Sequence, residues 1–248
     1  MKEDFMLETA FCEKYGINSV QVLRRFHSKK NEVILFSFLL TSNREEKWIV
    51  KKFKNPARCQ KEAEILTLLY DAGLAVPKII YAAADHLVLS YLPGITFLEW
   101  LEREEKAGCP KENYLSCLHD FARWLKAFYQ ITAQKLSPGL ILGDVNLRNF
   151  LLGEKFFGLD FEDCRPGLPE EDLGRFCAYV LTYNPAFTRW KYQFVAACKE
   201  IVAEKLNLTW GPVFLELQKE LESMSRRRKK QNLAADFYRQ GRAFNLIP

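Results

Sequence analysis

Leu142-Gly-Asp-Val-Asn-Leu-Arg-Asn149-Phe-Leu-Leu152, followed by Gly158-Leu-Asp-Phe-Glu-Asp163, is the stretch on which the reading of this chain turns. Asn149 stands five positions after Asp144 and leads into an apolar run; Asp160 closes a second apolar run eleven positions later. Leu151–Leu152 and Phe157–Leu159 have the composition of short strands, so a hairpin between them is predicted. Such a hairpin brings Asn149 and Asp160 together. A carboxamide beside a carboxylate offers the hard oxygen ligands that magnesium prefers, and Asp144 has the chemistry to orient a hydroxyl and receive its proton. Phosphoryl transfer from ATP asks for little beyond these parts: metal ions across the phosphates, a positioned nucleophile and compensation for charge.

Upstream, the pattern is of strands. Val20-Gln-Val-Leu23, Val33 to Leu40 and Trp48 to Phe53 are apolar runs rich in branched and aromatic residues, separated by the polar segments 28–31 and 41–46. They predict a three-stranded antiparallel meander. A short helix is expected over residues 2–14, stopped at Gly16. Pro56 opens a helix whose buried side carries Ile65, Leu66, Leu68 and Leu69 and which ends near Gly73. Two more strands follow, at Pro77–Tyr81 and His86–Leu92, before the Pro93-Gly94 turn. Beyond it the chain turns helical, with apolar spacing of 3–4 residues at Tyr114–Phe128 and Trp190–Val202. The expected fold is therefore α+β, with a small antiparallel β-sheet lobe plus one helix over residues 1–92 and a mostly helical lobe over 93–248. A cleft between two such lobes is a common ligand site.

The motif resembles the H-G-D-x-x-x-x-N and I-D-F-E-D pattern of the aminoglycoside phosphotransferase and choline kinase families, within the protein-kinase-like superfamily. The resemblance runs from about Lys51 to Asp172 and implies further roles in order. Lys51, after Trp48-Ile-Val50, matches the lysine that grips the α- and β-phosphates, and Glu62 matches the helix glutamate that pairs with it. Lys52 and Glu64 are the competing choices, one facing the opposite side of the strand. The backbone near Ser90 and Leu92 corresponds to the hinge that bonds adenine, and Asp172 to an aspartate that braces the catalytic loop. Asp144 is then the catalytic residue and Asn149 and Asp160 the metal ligands. The implied cofactors are ATP and Mg2+, and the implied reaction is transfer of the γ-phosphoryl group to a hydroxyl of a small molecule: a sugar, amino sugar or amino alcohol. A small RIO-like protein kinase, a lipopolysaccharide-sugar kinase and a nucleotide-binding pseudokinase scaffold remain as alternatives.

The chain departs from the pattern in the length of its helical lobe, which is short beside many antibiotic kinases, and at two places in its motifs. Leu142 stands where these families carry histidine, and the turn at His27-Ser-Lys-Lys-Asn31, expected over the phosphates, has no glycine. The scaffold reading draws on both departures; the joint presence of Lys51, Asp144, Asn149 and Asp160 opposes it.

Composition narrows the classes further. In 248 residues, the 48% hydrophobic and 14% aromatic content argues against disorder. The formal charge of +5 suits an anionic ligand such as ATP but is too small to argue for nucleic acid. Seven scattered cysteines without a C-x-x-C pair exclude a disulfide framework and a zinc site as the first reading, and point to a reducing, cytoplasmic setting. No apolar stretch reaches the roughly 18 residues of a membrane span. The basic run Arg226-Arg-Arg-Lys-Lys230 follows a predicted helix at Phe214–Met224, where positive charge suits the helix dipole. It is also the candidate contact for an anionic partner.

Overall fold

The apolar runs at the start of the chain form β1 (Ile17–Phe26), β2 (Glu32–Leu40) and β3 (Glu45–Lys52). Helix α1 (Thr9–Tyr15) precedes them, and Gly16 ends it in the left-handed region at φ 58°. After β3 come α2 (Pro56–Asp71), β4 (Ile79–Ala82) and β5 (His86–Ser90), giving one antiparallel sheet in the order β1-β2-β3-β5-β4. This computed structural model describes residues 9–28, 30–228 and 232–247. The first seven residues of the helix expected over 2–14 lie outside them.

Side-chain alternation sorts this sheet into two faces. Register pairs Phe36 with Trp48, Ile34 with Val50 and Val50 with Val88. These residues and Phe38 form one buried cluster with Phe11 of α1, whose ring lies 6.3 Å from Phe38 and 6.0 Å from Trp48. Lys51 belongs to the opposite face, where α2 buries Cys59, Glu62, Ile65, Leu66 and Leu69. Lys52 falls on the face of Trp48 and Val50 but ends the strand, and is exposed.

The chain divides into two units. The first holds this sheet and runs to Asp71, with Val76–Pro93; the second takes Ala72–Ala75 and everything from Gly94. Ala72–Ala75 side with the second unit because the Ala75 carbonyl accepts from Trp124 Nε1 (3.0 Å) and from the Gly158 amide (3.2 Å).

The second unit opens with β6 (Ile95–Thr96) and α3 (Phe97–Ala107). A capping box starts this helix: Thr96 Oγ1 accepts the Glu99 amide while the Glu99 carboxylate accepts the Thr96 amide. Then follow α4 (Lys111–Lys135), β7 (Leu140–Ile141), a 3₁₀ turn at Leu147–Asn149, β8 (Phe150–Leu152), β9 (Phe156–Gly158) and β10 (Arg165–Pro166). The last helices are α5 (Pro169–Thr182), α6 (Arg189–Ala197), extended by a π-helical turn to Ala203, α7 (Trp210–Arg228) and α8 (Leu233–Gly241). Phe97 is the hub of the core: its ring lies 5.4–6.2 Å from those of Phe121, Phe156, Phe176 and Phe194. Among the described residues, no helix is long and apolar enough to cross a membrane.

The predicted hairpin is present, with Phe150 opposite Gly158 and Leu152 opposite Phe156. Gly158 is needed there because a Cβ would fall 2.1 Å from the Trp124 indole. Gly158→Ala is expected to destabilise the chain by about 1–3 kcal/mol through overpacking. Urea unfolding followed by tryptophan fluorescence measures it; an unchanged midpoint would refute the packing assigned to this glycine.

Candidate active site

In the first unit, Lys51 Nζ lies 2.6 Å from Glu62 Oε2, with the two side chains only 7% and 1% exposed. β3 carries the lysine inward, and the first turns of α2 present the glutamate; Glu64, two residues on, is exposed and bonds Gln60 instead. Phe53 lies beside the ammonium, its ring centroid 4.8 Å from Nζ. Withdrawing one partner of such a pair leaves a buried charge uncompensated.

At the end of β5, the Ser90 amide donates to the Lys78 carbonyl, and its hydroxyl accepts the Lys78 amide. The Tyr91 amide donates to Lys47 O. Of the backbone groups assigned to adenine, the Ser90 N–H is thus already engaged within the sheet, which leaves carbonyl lone pairs and the Leu92 amide for that role. The turn between β1 and β2 is closed by a hydroxyl: Ser28 Oγ accepts the Asn31 amide at 3.2 Å. A side-chain acceptor of this kind does locally what glycine's freedom does in a tighter turn. Lys29 lies outside the described residues.

In the second unit the loop after β7 hangs from one carboxylate. Asp172, fully buried on α5, accepts the amides of Leu142 (2.7 Å, Oδ2) and Gly143 (3.0 Å, Oδ1) and the Tyr129 hydroxyl (3.0 Å). Burial pushes its pKa up to about 6, against the opposing effect of these three donors. Arg175, one turn later, donates to the Gly143 carbonyl at 2.7 Å. Gly143 itself has φ 75°, and a Cβ there would sit 2.5 Å from the Asp163 carbonyl. The glycine therefore lets the loop and the Asp160–Asp163 segment pass in contact.

Asp144 follows directly. Its Oδ1 accepts the Asn146 amide at 3.2 Å, which sets the carboxylate's orientation. Asn149 Nδ2 donates to the Asp144 carbonyl at 3.1 Å. Only the amide nitrogen can donate to a carbonyl, so Oδ1 of Asn149 is the atom turned outward. The Asn149 carbonyl accepts the Leu159 amide at 2.8 Å, and this bond sets Asp160 beside Asn149. Asp160 adopts φ 61°, an uncommon conformation for a residue other than glycine. A carboxamide oxygen just before β8 and a carboxylate just after β9 form a donor set that fits a magnesium ion. Leu142, in the place of a histidine, is buried at 3% exposure and contributes its amide rather than its side chain.

Sequence reasoning passed over four members of this constellation. Tyr183 donates to Asn146 Oδ1 (2.8 Å) and accepts from Arg148 (3.1 Å). Buried Lys191 holds the carbonyls of Tyr183 and Pro185 (2.7 and 2.5 Å) and pairs with Glu105. Tyr129 and Lys191 sit at helical core spacing, with no local signal of their reach; the Arg175 side of the brace is equally silent. In the basic run, Lys229 and Lys230 lie outside the described residues, whereas Arg226–Arg228 end α7.

Known proteins bear on this arrangement in two ways. Residues 93–198 match the model of a phosphotransferase enzyme family, a span that includes Asp144, Asn149, Asp160 and Asp172. Among solved structures, a complex of gentamicin with APH(2″)-IIa superposes with a TM-score of 0.59 at 14% identity, covering 99% of this chain and 98% of that one. Amicoumacin kinase hAmiN, in complex with AMP-PNP, Ca2+ and Ami, gives 0.59 at 13% identity, covering 95% and 92%. No curated protein matches the sequence significantly. The fold is thus the protein-kinase-like one, and the likeness to aminoglycoside phosphotransferases expected from the motif is found.

Two outcomes follow from the charges. Glu62→Ala is expected to cost about 3–5 kcal/mol by removing the carboxylate 2.6 Å from the buried Lys51 ammonium, whereas Lys51→Met combined with Glu62→Leu recovers most of it; chemical denaturation of both variants beside wild type decides. Asp172→Asn turns an N–H toward a loop donor and is expected to cost about 1–3 kcal/mol. The folded chain holds the Asp172 proton more tightly than the unfolded one. This carboxyl's contribution is therefore greatest below its ordinary value of 3.8 and shrinks as pH rises through about 6. The stability gap between wild type and Asp172→Asn should narrow over that interval; a gap independent of pH would contradict the assignment.

Proposed function

We propose that this protein transfers the γ-phosphoryl group of Mg-ATP to a hydroxyl of a small molecule, such as a sugar, amino sugar or amino alcohol. The observation that carries the reading is the Asn149–Asp160 pair: one backbone bond, from the Leu159 amide to the Asn149 carbonyl, brings the two residues into neighbouring positions while the same asparagine ties down the Asp144 carbonyl. A folded scaffold has no structural need for that donor set next to an oriented carboxylate.

Each residue then has a defined task. Lys51, fixed by Glu62, steadies the α- and β-phosphates as a point charge. The strand end at Ser90–Leu92 offers backbone groups to the adenine edge. Asn149 and Asp160 hold the metal, which when bound neutralises charge on the phosphates. Asp144, turned by its bond to the Asn146 amide, orients the acceptor hydroxyl and takes its proton. Asp172 keeps the loop in that geometry from beneath. The family match over residues 93–198 supports the reaction class, since it spans the loop, both metal ligands and the brace.

ATP with magnesium is expected to raise the melting temperature more than ATP alone, equivalent to about 2.7 kcal/mol at a hundredfold excess over Kd. Asp160→Asn should lose the metal-dependent part of that shift. Asp144→Ala should retain it and lose turnover by about 10²–10⁴-fold. Calorimetric binding and an ADP-release assay separate the two; equal turnover in both variants and wild type would sink these role assignments, and a chain indifferent to magnesium would be a scaffold.

A further inference from the structure

Around the C-terminal end of α5 gather cationic groups, from the loop and from α6 and α7, that the phosphoryl-transfer machinery does not use. Arg148 lies in the catalytic loop, four residues after Asp144, and is exposed. Its guanidinium lies over the Tyr183 ring, 5.4 Å from the centroid, and gives one N–H to the Tyr183 hydroxyl. That hydroxyl donates in turn to Asn146, whose amide bonds Asp144. Arg148 is therefore tied to the catalytic carboxylate through a continuous chain of hydrogen bonds, with a geometry set by a ring rather than left to a flexible stem.

Tyr183 is itself immobilised. Lys191, with no exposed surface, holds its carbonyl and that of Pro185, and Glu105 neutralises the lysine at 3.1 Å. One residue back, the Thr182 carbonyl accepts from Arg228 of α7 at 3.5 Å. Among the described residues neither Arg148 nor Arg228 makes an ion pair, whereas neighbouring Arg227 is matched by Glu220 at 2.6 Å. Tyr179, one turn earlier on α5, has its pKa pushed up chiefly by burial, then by Asp144 and Glu220, and Arg227 opposes them, so this helix end spans from the catalytic aspartate to the basic end of α7. A guanidinium fork with four N–H groups still to place matches a carboxylate or phosphate bidentately.

Resting on the phosphotransferase reading, we propose that Arg148, mounted on Tyr183 and backed by Arg228, receives an acidic group of the acceptor, so that the substrate is a hydroxyl compound bearing a carboxylate or phosphate. Arg228, at the end of α7, then serves the acceptor side of Asp144. This separates the chain from phosphotransferases whose acceptors are cationic amino sugars.

The test uses the whole chain with Mg-ATP and a panel matched in size: glucose, gluconate, glucose 6-phosphate and glucosamine, with glycerol, glycerate, glycerol phosphate and ethanolamine. ADP release and the mass of the product are measured. At least one acidic member should exceed its neutral and amino counterparts in kcat/KM by about tenfold or more, and added salt should erode the advantage. Whether a carboxylate or a phosphate is preferred identifies the group. Arg148→Ala should remove the preference through KM, and Arg148→Lys should restore part of it; unchanged melting temperatures exclude misfolding, and Arg228→Ala provides an independent, smaller effect in the same direction. A preference for neutral or amino acceptors overturns the proposal and leaves phosphotransfer standing. So does an Arg148→Ala variant that loses all acceptors equally. Failure of the underlying reading looks different: no acceptor of any charge gains phosphate, no magnesium-dependent nucleotide binding is seen, and the inference falls with it.

Discussion

A single buried carboxylate organises the loop of the second unit. Asp172 takes two consecutive loop amides and a tyrosine hydroxyl, and without that acceptor the Leu142 and Gly143 N–H groups would be buried with no compensation. The position of every later residue in the loop follows from it. Gly143 makes the left-handed step, Asp144 emerges with its carboxylate oriented by Asn146, and Asn149 reaches back to close the loop on the Asp144 carbonyl. Because backbone amides provide the anchorage, the side chain at 142 is not required to donate. This is a physical account of how leucine can stand in the place of histidine there.

The first unit solves a different problem, that of keeping a cation inside. Its sheet is covered on both faces, by Phe11 of α1 on one and by α2 on the other. An ammonium on β3 would be costly in that setting were Glu62 not 2.6 Å away. The pair is thus a consequence of two-sided burial as much as a preparation for phosphate. On the other side of the chain's chemistry, the end of α5 gathers arginines from the loop and from α7 around two tyrosines. Helix C-termini favour positive charge, which explains why such groups collect there and why one of them, held beside a tyrosine ring and bonded to its hydroxyl, is suited to recognition.

Much of this was readable in one dimension. The hairpin after Asn149, the strand carrying Lys51 and the helix carrying Glu62 are local patterns, and a period of two or of 3.6 residues suffices to place them. The choices between Lys51 and Lys52, and between Glu62 and Glu64, were framed by the same periods. What decided them was which member is buried, and burial depends on the partner element that arrives from elsewhere in the chain.

By itself, then, the sequence determined the order of elements, the kinase-like class and the residue types able to bind a metal and activate a hydroxyl, because these depend on short-range periodicity and on motif spacing. Only the tertiary structure decided what holds those residues still. Tyr129, Asp172, Arg175, Tyr183 and Lys191 act across 8 to 43 positions of chain on groups with which they share no local pattern. Such contacts are created by the packing of α4, α5 and α6 around the loop. The energy of a buried hydrogen bond depends on the geometry that packing imposes and on the exclusion of water, neither of which is written in the neighbouring letters.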